Sequence, residues 1–268
     1  MSVDDKYTYP GSGGVLVNHY NIRDAAKLDQ ALNAVASVRW AAMSREPLPT
    51  RFDVAQLQAI HRRLFDEIYP FAGQLRDVDA QAMGTGIPYS RPEFIPAQAR
   101  AIDDALRRDN YLRGMPHDQF VDRLAYHWGE LTALHPMRDG NTRSQSAFIT
   151  QLAAAAGYRI DWERVDVDEL RTVRLQAVAS SERPLVDYLR DRVQSYAAQD
   201  RSEHRETMTG LTFEQSPRGQ QMRSFIEMQR RAFGQDPEGI MRPPTGDAAA
   251  SRPRPPEGRS TEQRRGLS

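Results

Sequence analysis

His135-Pro136-Met137-Arg138-Asp139-Gly140-Asn141-Thr142-Arg143 sets an imidazole, a carboxylate, a glycine-asparagine turn and a guanidinium side by side. An apolar helical pattern runs into the stretch over 117–134, with Phe120, Leu124, Trp128 and Leu131 at steps of four, four and three. A second, Ala-rich pattern leaves it over 142–156 and ends at Gly157. Pro136 blocks helical continuation, so the residues after it form a turn. Gly140 permits a positive φ and a close backbone approach. The first amides of the new helix are unpaired, and the helix dipole favours an anion there, for which polyphosphate is the natural occupant. Asp139 stands just before this nest, where a carboxylate can hold magnesium on phosphate oxygens. Arg143 can clamp phosphate with a planar fork, and His135 supplies a base. Taken singly, a His beside Pro is a cap, Asp-Gly-Asn is a common turn and Arg in a first helical turn is solvated. The full order, between two helices, points to a phosphate-handling site.

Outward from this stretch the chain reads as helical. Residues 24–43 place Leu28, Leu32, Val35, Val38 and Ala42 at helical spacing, and 53–69 do the same with Leu57, Ile60, Leu64, Phe65 and Ile68. Asp53 is an N-cap candidate, and Pro70 ends that pattern. Further helices are expected over 96–107, 167–179 and 185–196. One stretch, 74–94, suggests strands: two short extended segments around a glycine-rich turn, read as a hairpin or as a solvent loop. The apolar content falls near Asp200. Residues 201–268 hold 12 Arg against 9 acidic residues, a net of +3. Three segments follow from this: a folded domain over 1–200, a partly helical extension over 201–240 and a disordered Pro/Arg-rich tail over 241–268.

Lys+Arg and Asp+Glu are both 36 among 268 residues, so the formal net charge is zero. That argues against a chain built to grip nucleic acid. No cysteine is present, which excludes disulfides, Cys-based zinc sites and thiol catalysis and fits a reducing cytosol. No apolar run approaches the roughly 20 residues a membrane span needs, and the polar N-terminus with Asp4 and Asp5 does not read as a secretory signal. The richness in Ala, Arg and Asp reads as bacterial codon bias.

The motif closely resembles the signature of the Fic family, His-x-Phe-x-(Asp/Glu)-Gly-Asn-Gly-Arg-x-x-Arg. Two other stretches are similar to Fic proteins. Tyr7-Thr8-Tyr9-Pro10 with Val15-Leu16-Val17-Asn18 resembles their N-terminal segment. Phe65-Asp66-Glu67-Ile68-Tyr69-Pro70-Phe71-Ala72-Gly73-Gln74-Leu75-Arg76 resembles the segment leading into their target-docking flap. The resemblance implies an all-α Fic-type core with a small β-hairpin flap, followed by the disordered tail. It also implies a protein adenylyltransferase that moves AMP from ATP to a Tyr, Thr or Ser hydroxyl of a target protein. On this resemblance His135 is the general base and Asp139 binds Mg2+. Gly140, Asn141 and Thr142 form the anion hole, and Arg143 grips a phosphate. The target docks on the flap between Gln81 and Tyr89 by strand addition. A small antitoxin is an implied partner. The implied setting is the bacterial cytoplasm, with translocation into another cell as a variant.

Three positions depart from the signature. Met137 replaces Phe, Thr142 replaces Gly, and Ser146 stands where the second arginine belongs. That arginine holds the terminal phosphate of ATP in the family and anchors an inhibitory glutamate. Its loss leaves three readings open: weak ATP binding with AMP transfer retained, another phosphate-containing donor or phosphotransfer, or a degenerate interaction protein on the same scaffold. Ser202 and Glu206 match part of a self-inhibitory motif, (Ser/Thr)-x-x-x-Glu-(Gly/Asn), without completing it.

Overall fold

The computed structural model describes residues 5–196. The expectations for 201–240, for 241–268 and for Ser202 and Glu206 fall outside the described residues. Seven α-helices appear in order: α1 (Ala25–Met43), α2 (Val54–Phe65), α3 (Ile95–Arg108), α4 (His117–Leu134), α5 (Asn141–Ala156), α6 (Val167–Ala179) and α7 (Arg183–Arg190). Two three-residue strands, β1 (Tyr158–Ile160) and β2 (Val193–Ser195), and three short 3-10 turns (Pro92–Phe94, Asn110–Leu112 and Trp162–Arg164) complete the elements of the described residues.

The helix starts have local causes. Asp24, Asp53 and Asp166 each accept a hydrogen bond from the backbone N–H three residues on, capping α1, α2 and α6. Gly157 ends α5 at φ 90°. α4 is the central helix, packed against α3, α5, α6 and α7. Its Phe120, Leu124, Trp128 and Leu131 are fully buried, so the stripe read from the sequence is the middle of the core. α2 packs between α1 and α5, which brings its inner face beneath the start of α5.

Three expectations need correction. The helix expected over 53–69 stops at Phe65, and the chain then folds back in turns that bury Ile68 and Tyr69. The helix expected over 185–196 stops at Arg190. There Val193 pairs with Ile160 and Gln194 with Arg159, so an antiparallel ladder with β1 replaces the last turn. Among the described residues the one regular sheet therefore lies outside 74–94. The hairpin over 81–89 is present in minimal form: one bridge joins Gln81 and Pro88, with Ala82 N donating to Ile87 O at 2.8 Å and Tyr89 N to Ala80 O at 3.0 Å. The N-terminal segment makes a similar small hairpin, bridging Thr8 and Leu16.

Candidate active site

α4 delivers His135 as its C-terminal cap, in the left-handed region at φ 41°, ψ 60°. That conformation is costly for a residue with a Cβ and persists where surroundings over-determine it. Arg76 supplies the constraint. Its Nε donates to the His135 carbonyl at 2.8 Å and Nη1 to Val78 O at 2.8 Å, while Nη2 reaches Ser90 O and Leu134 O. Its own N–H donates to Pro136 O at 2.8 Å. One buried guanidinium thus ties both ends of the flap to the loop that begins the motif.

The His135 ring stacks on Tyr89, with centroids 3.7 Å apart and planes 2° from parallel. Burial, with the nearby Arg174 and Arg76 charges, pulls the imidazole pKa down to about 3; Asp139 and the Thr132 carbonyl oppose this. His135 is therefore neutral at physiological pH, the state a proton acceptor needs.

The motif loop is held from below by α2. The Gly73 N–H donates to His61 Nδ1 at 2.9 Å, so Nε2 carries the ring proton and donates it to the Asp139 carbonyl at 2.7 Å. Burial keeps His61 neutral, with its pKa lowered to about 4. Tyr69 OH donates to Asp139 Oδ2 at 2.7 Å. Burial pushes the Asp139 carboxyl up, but Arg143, the Tyr69 hydroxyl and the Gly140 N–H outweigh it, so its pKa lies below the ordinary value. An ionised carboxylate thus stands at the mouth of α5.

Gly140 is required twice over. Its φ is 73°, and a Cβ there would lie 2.5 Å from Phe65 Cε2 and 3.0 Å from His61 Nε2. Asn141 is buried, and its amide closes the loop on itself: Met137 N donates to Oδ1 at 2.9 Å and Nδ2 donates to Met137 O at 2.7 Å. No side chain caps α5, whose first helical bond is Ser144 N to Gly140 O. The amides of Asn141, Thr142 and Arg143 thus lie in the orphan turn that favours an anion. Arg143 is braced by α1, its Nη2 donating to Asp29 Oδ1 at 2.6 Å and its Nε to Asn33 Oδ1 at 2.8 Å.

All six residues expected from the sequence thus fall in one loop and the first turn of one helix. Asn141 differs from expectation in that its side chain shapes the loop, leaving only its backbone N–H for an anion. His61, Tyr69, Arg76, Tyr89 and Arg174 were not foreseen as site residues. Tyr69 and Arg76 stood inside the flap-leading segment, and Tyr89 at the flap's end. Nothing local marks His61 or Arg174, which come from other helices. The donor set also suits magnesium in one respect: a single ionised carboxylate beside a phosphate nest matches an ion that keeps most of its shell as water and phosphate. Among the described residues no cluster of three or more His, Asp or Glu offers an all-protein metal cage.

A helical bundle that sets a neutral imidazole, a lone carboxylate and an uncapped helix start in one loop is the architecture of a nucleotide-handling Fic domain. The Fic/DOC family model matches residues 51–153, and the chain belongs to that family. It is 35% identical over 162 residues to the probable protein adenylyltransferase Fic of Escherichia coli, covering 60% of this chain and 78% of that protein. It is 36% identical over 174 residues to the protein adenylyltransferase VbhT of Bartonella schoenbuchensis; this covers 65% of the chain but only 36% of VbhT. Among solved structures it resembles BepC, a VirB-translocated effector of Bartonella tribocorum with bound AMPPNP. There the TM-score is 0.69 at 26% identity, over 74% of this chain and 100% of that one. Among the described residues no helix is long and apolar enough to cross a membrane.

Proposed function

We propose that the chain is a protein adenylyltransferase that moves AMP from ATP to a Tyr, Thr or Ser hydroxyl of a target protein. The observation that carries this reading is the neutral His135 imidazole placed beside Asp139 and the uncapped start of α5. His135 takes the proton of the target hydroxyl. The freed oxygen bonds to the α-phosphorus of ATP, the bond from that phosphorus to the bridging oxygen breaks, and pyrophosphate leaves. The amides of Asn141 and Thr142 and the Arg143 guanidinium stabilise the charge on the phosphate oxygens. Asp139 would hold Mg2+, which would supply positive charge against the phosphate oxygens. The target lies along the flap between Gln81 and Tyr89, as an added strand.

The catalytic unit is residues 1–200, and 241–268 contribute nothing to folding or to transfer in vitro. A small antitoxin protein as partner and a bacterial cytoplasmic site belong to this proposal, and delivery into another cell is in keeping with the description of BepC as a VirB-translocated effector. A second reading has its own support. Ser146 is buried with no charge where the family motif carries an arginine, which favours a different phosphate-containing donor.

One experiment tests both. The protein is incubated with Mg2+, a cell lysate and each of the four nucleoside triphosphates in turn, and the adduct mass is read. AMP on a target hydroxyl, formed by wild type and lost by more than about a thousandfold in His135→Ala, is the expected result. Undiminished labelling by His135→Ala sinks the assignment of the base. An adduct from another donor moves the protein to the second reading.

A further inference from the structure

Arg174 projects from α6 into the core beside the active site and is only 3% exposed. A buried guanidinium ordinarily carries a carboxylate partner, because desolvation of the charge is otherwise uncompensated. Arg174 has none among the described residues. Its Nε and Nη2 both donate to Thr132 Oγ1, at 3.1 and 3.0 Å, and Nη2 also reaches Gln145 Oε1. Its Cζ lies over the Trp128 ring, 5.2 Å from the centroid. All of these partners are neutral. Nη1 makes no hydrogen bond to the described residues, yet it is not sealed from solvent.

Arg76 shows the contrast. It too is buried without an ion pair, but its Nε, Nη1 and Nη2 all end on backbone carbonyls, which is a structural role. Arg174 retains donor capacity and charge. Its position is also specific. Its charge acts on both His135 and Tyr89, so it stands close to their stacked rings. Its partner Gln145 precedes Ser146 in α5, the position at which the motif lacks its second arginine. A charge missing from α5 thus coincides with an unneutralised charge arriving from α6 against the same turn.

We propose that Arg174 binds a phosphate oxygen of the nucleotide donor, supplying from α6 the second guanidinium that the motif lacks at Ser146. The proposal rests on the reading above that a nucleotide's phosphates lie at the start of α5. The anion that Arg174 lacks within the protein is then the ligand's own, and the fork geometry of guanidinium suits phosphate.

The test is calorimetric binding of ATP and of inorganic tripolyphosphate in the presence of Mg2+, with the melting temperature of each unliganded protein measured in parallel. Arg174→Gln keeps a hydrogen-bonding side chain and removes the charge. It should bind both ligands at least tenfold more weakly while melting no earlier than wild type. Affinity equal to wild type for both ligands overturns the proposal and leaves Arg174 a core residue. Should Arg174→Gln fail to fold, Arg174→Lys is read instead: the lost fork should weaken ATP binding at least threefold, and equal affinity overturns the proposal. The readout is binding, so the two readings fail separately. Arg174-dependent ATP binding without AMP transfer removes the activity and keeps the phosphate site. AMP transfer with Arg174-independent binding does the reverse.

Discussion

The two sides of His135 are built on opposite plans. On one side, the loop from Asp139 to Arg143 is over-determined. His61 holds its carbonyl, Tyr69 its carboxylate, Asn141 its internal turn and α1 its arginine. On the other side, the flap from Gln81 to Tyr89 has one bridge, positive-φ glycines at 84 and 86, and Met83 at 86% exposure. Phosphate chemistry depends on donors fixed to within fractions of an ångström, and a rigid nest costs no reorganisation at the moment of reaction. A docking strand needs the reverse, an edge left unpaired until a partner arrives. Arg76 joins the two plans, fastening the base of the flap to the His135 loop and leaving its tip open.

The rigid side is broken most severely at Gly140. Gly140→Ala adds a Cβ 2.5 Å from Phe65 in a backbone conformation that disfavours it. Strain and overpacking together should cost about 3 kcal/mol of stability, and the displaced amides should lose most nucleotide affinity. Chemical denaturation and calorimetry with ATP check both. A variant with wild-type stability and affinity would show that the loop is softer than its bonding implies.

A comparable effect comes from acid, through His61. Its pKa is about 4 in the folded protein against an ordinary value near 6.5. Between those values the unfolded chain binds a proton that the folded protein refuses, so stability is full above about pH 6.5 and falls as pH drops towards 4. The loss assigned to His61 is at most about 3 kcal/mol. Denaturation midpoints measured from pH 7 to 4 should fall less steeply in His61→Gln than in wild type. Parallel curves would place the acid sensitivity elsewhere.

The difference between the two sides also governs what could be read from sequence. That His135, Asp139, Gly140, Asn141, Thr142 and Arg143 share one loop and one helix start was legible because they are contiguous in the sequence. Pro136 and Gly157 mark the neighbouring helix ends by backbone chemistry alone. What supports them was not legible. His61 meets a carbonyl 78 residues away, and Arg174 a hydroxyl 42 residues away. Neither partner is marked by periodicity, since a buried His or Arg at a helical position looks like any interrupted stripe. β1 and β2 escaped for a related reason. Three residues are too few to show alternation, and Val193 became a strand residue only because Ile160 stood opposite it.

The smallest effect is expected at the flap tip, and it sharpens the comparison most directly. Met83 is the most exposed large apolar side chain among the described residues, and Arg171 Nη2 holds its carbonyl at 2.5 Å, steadying the backbone without covering the side chain. Met83→Ala removes almost no buried contact, so the melting temperature and ATP affinity should stay at wild-type values. If a target segment adds to the flap as a strand, Met83 is the first apolar surface it meets. Partial burial of that side chain is worth about 1 kcal/mol. The KM for the protein target should then rise about threefold to tenfold with kcat unchanged, because contact made equally in ground and transition states alters binding alone. Steady-state kinetics on an identified target, with ATP saturating, measures this. A fall in kcat without a change in KM would mean that Met83 helps to place the hydroxyl against His135, and the flap would belong with the rigid side. Unchanged values of both would move target docking off the flap tip altogether.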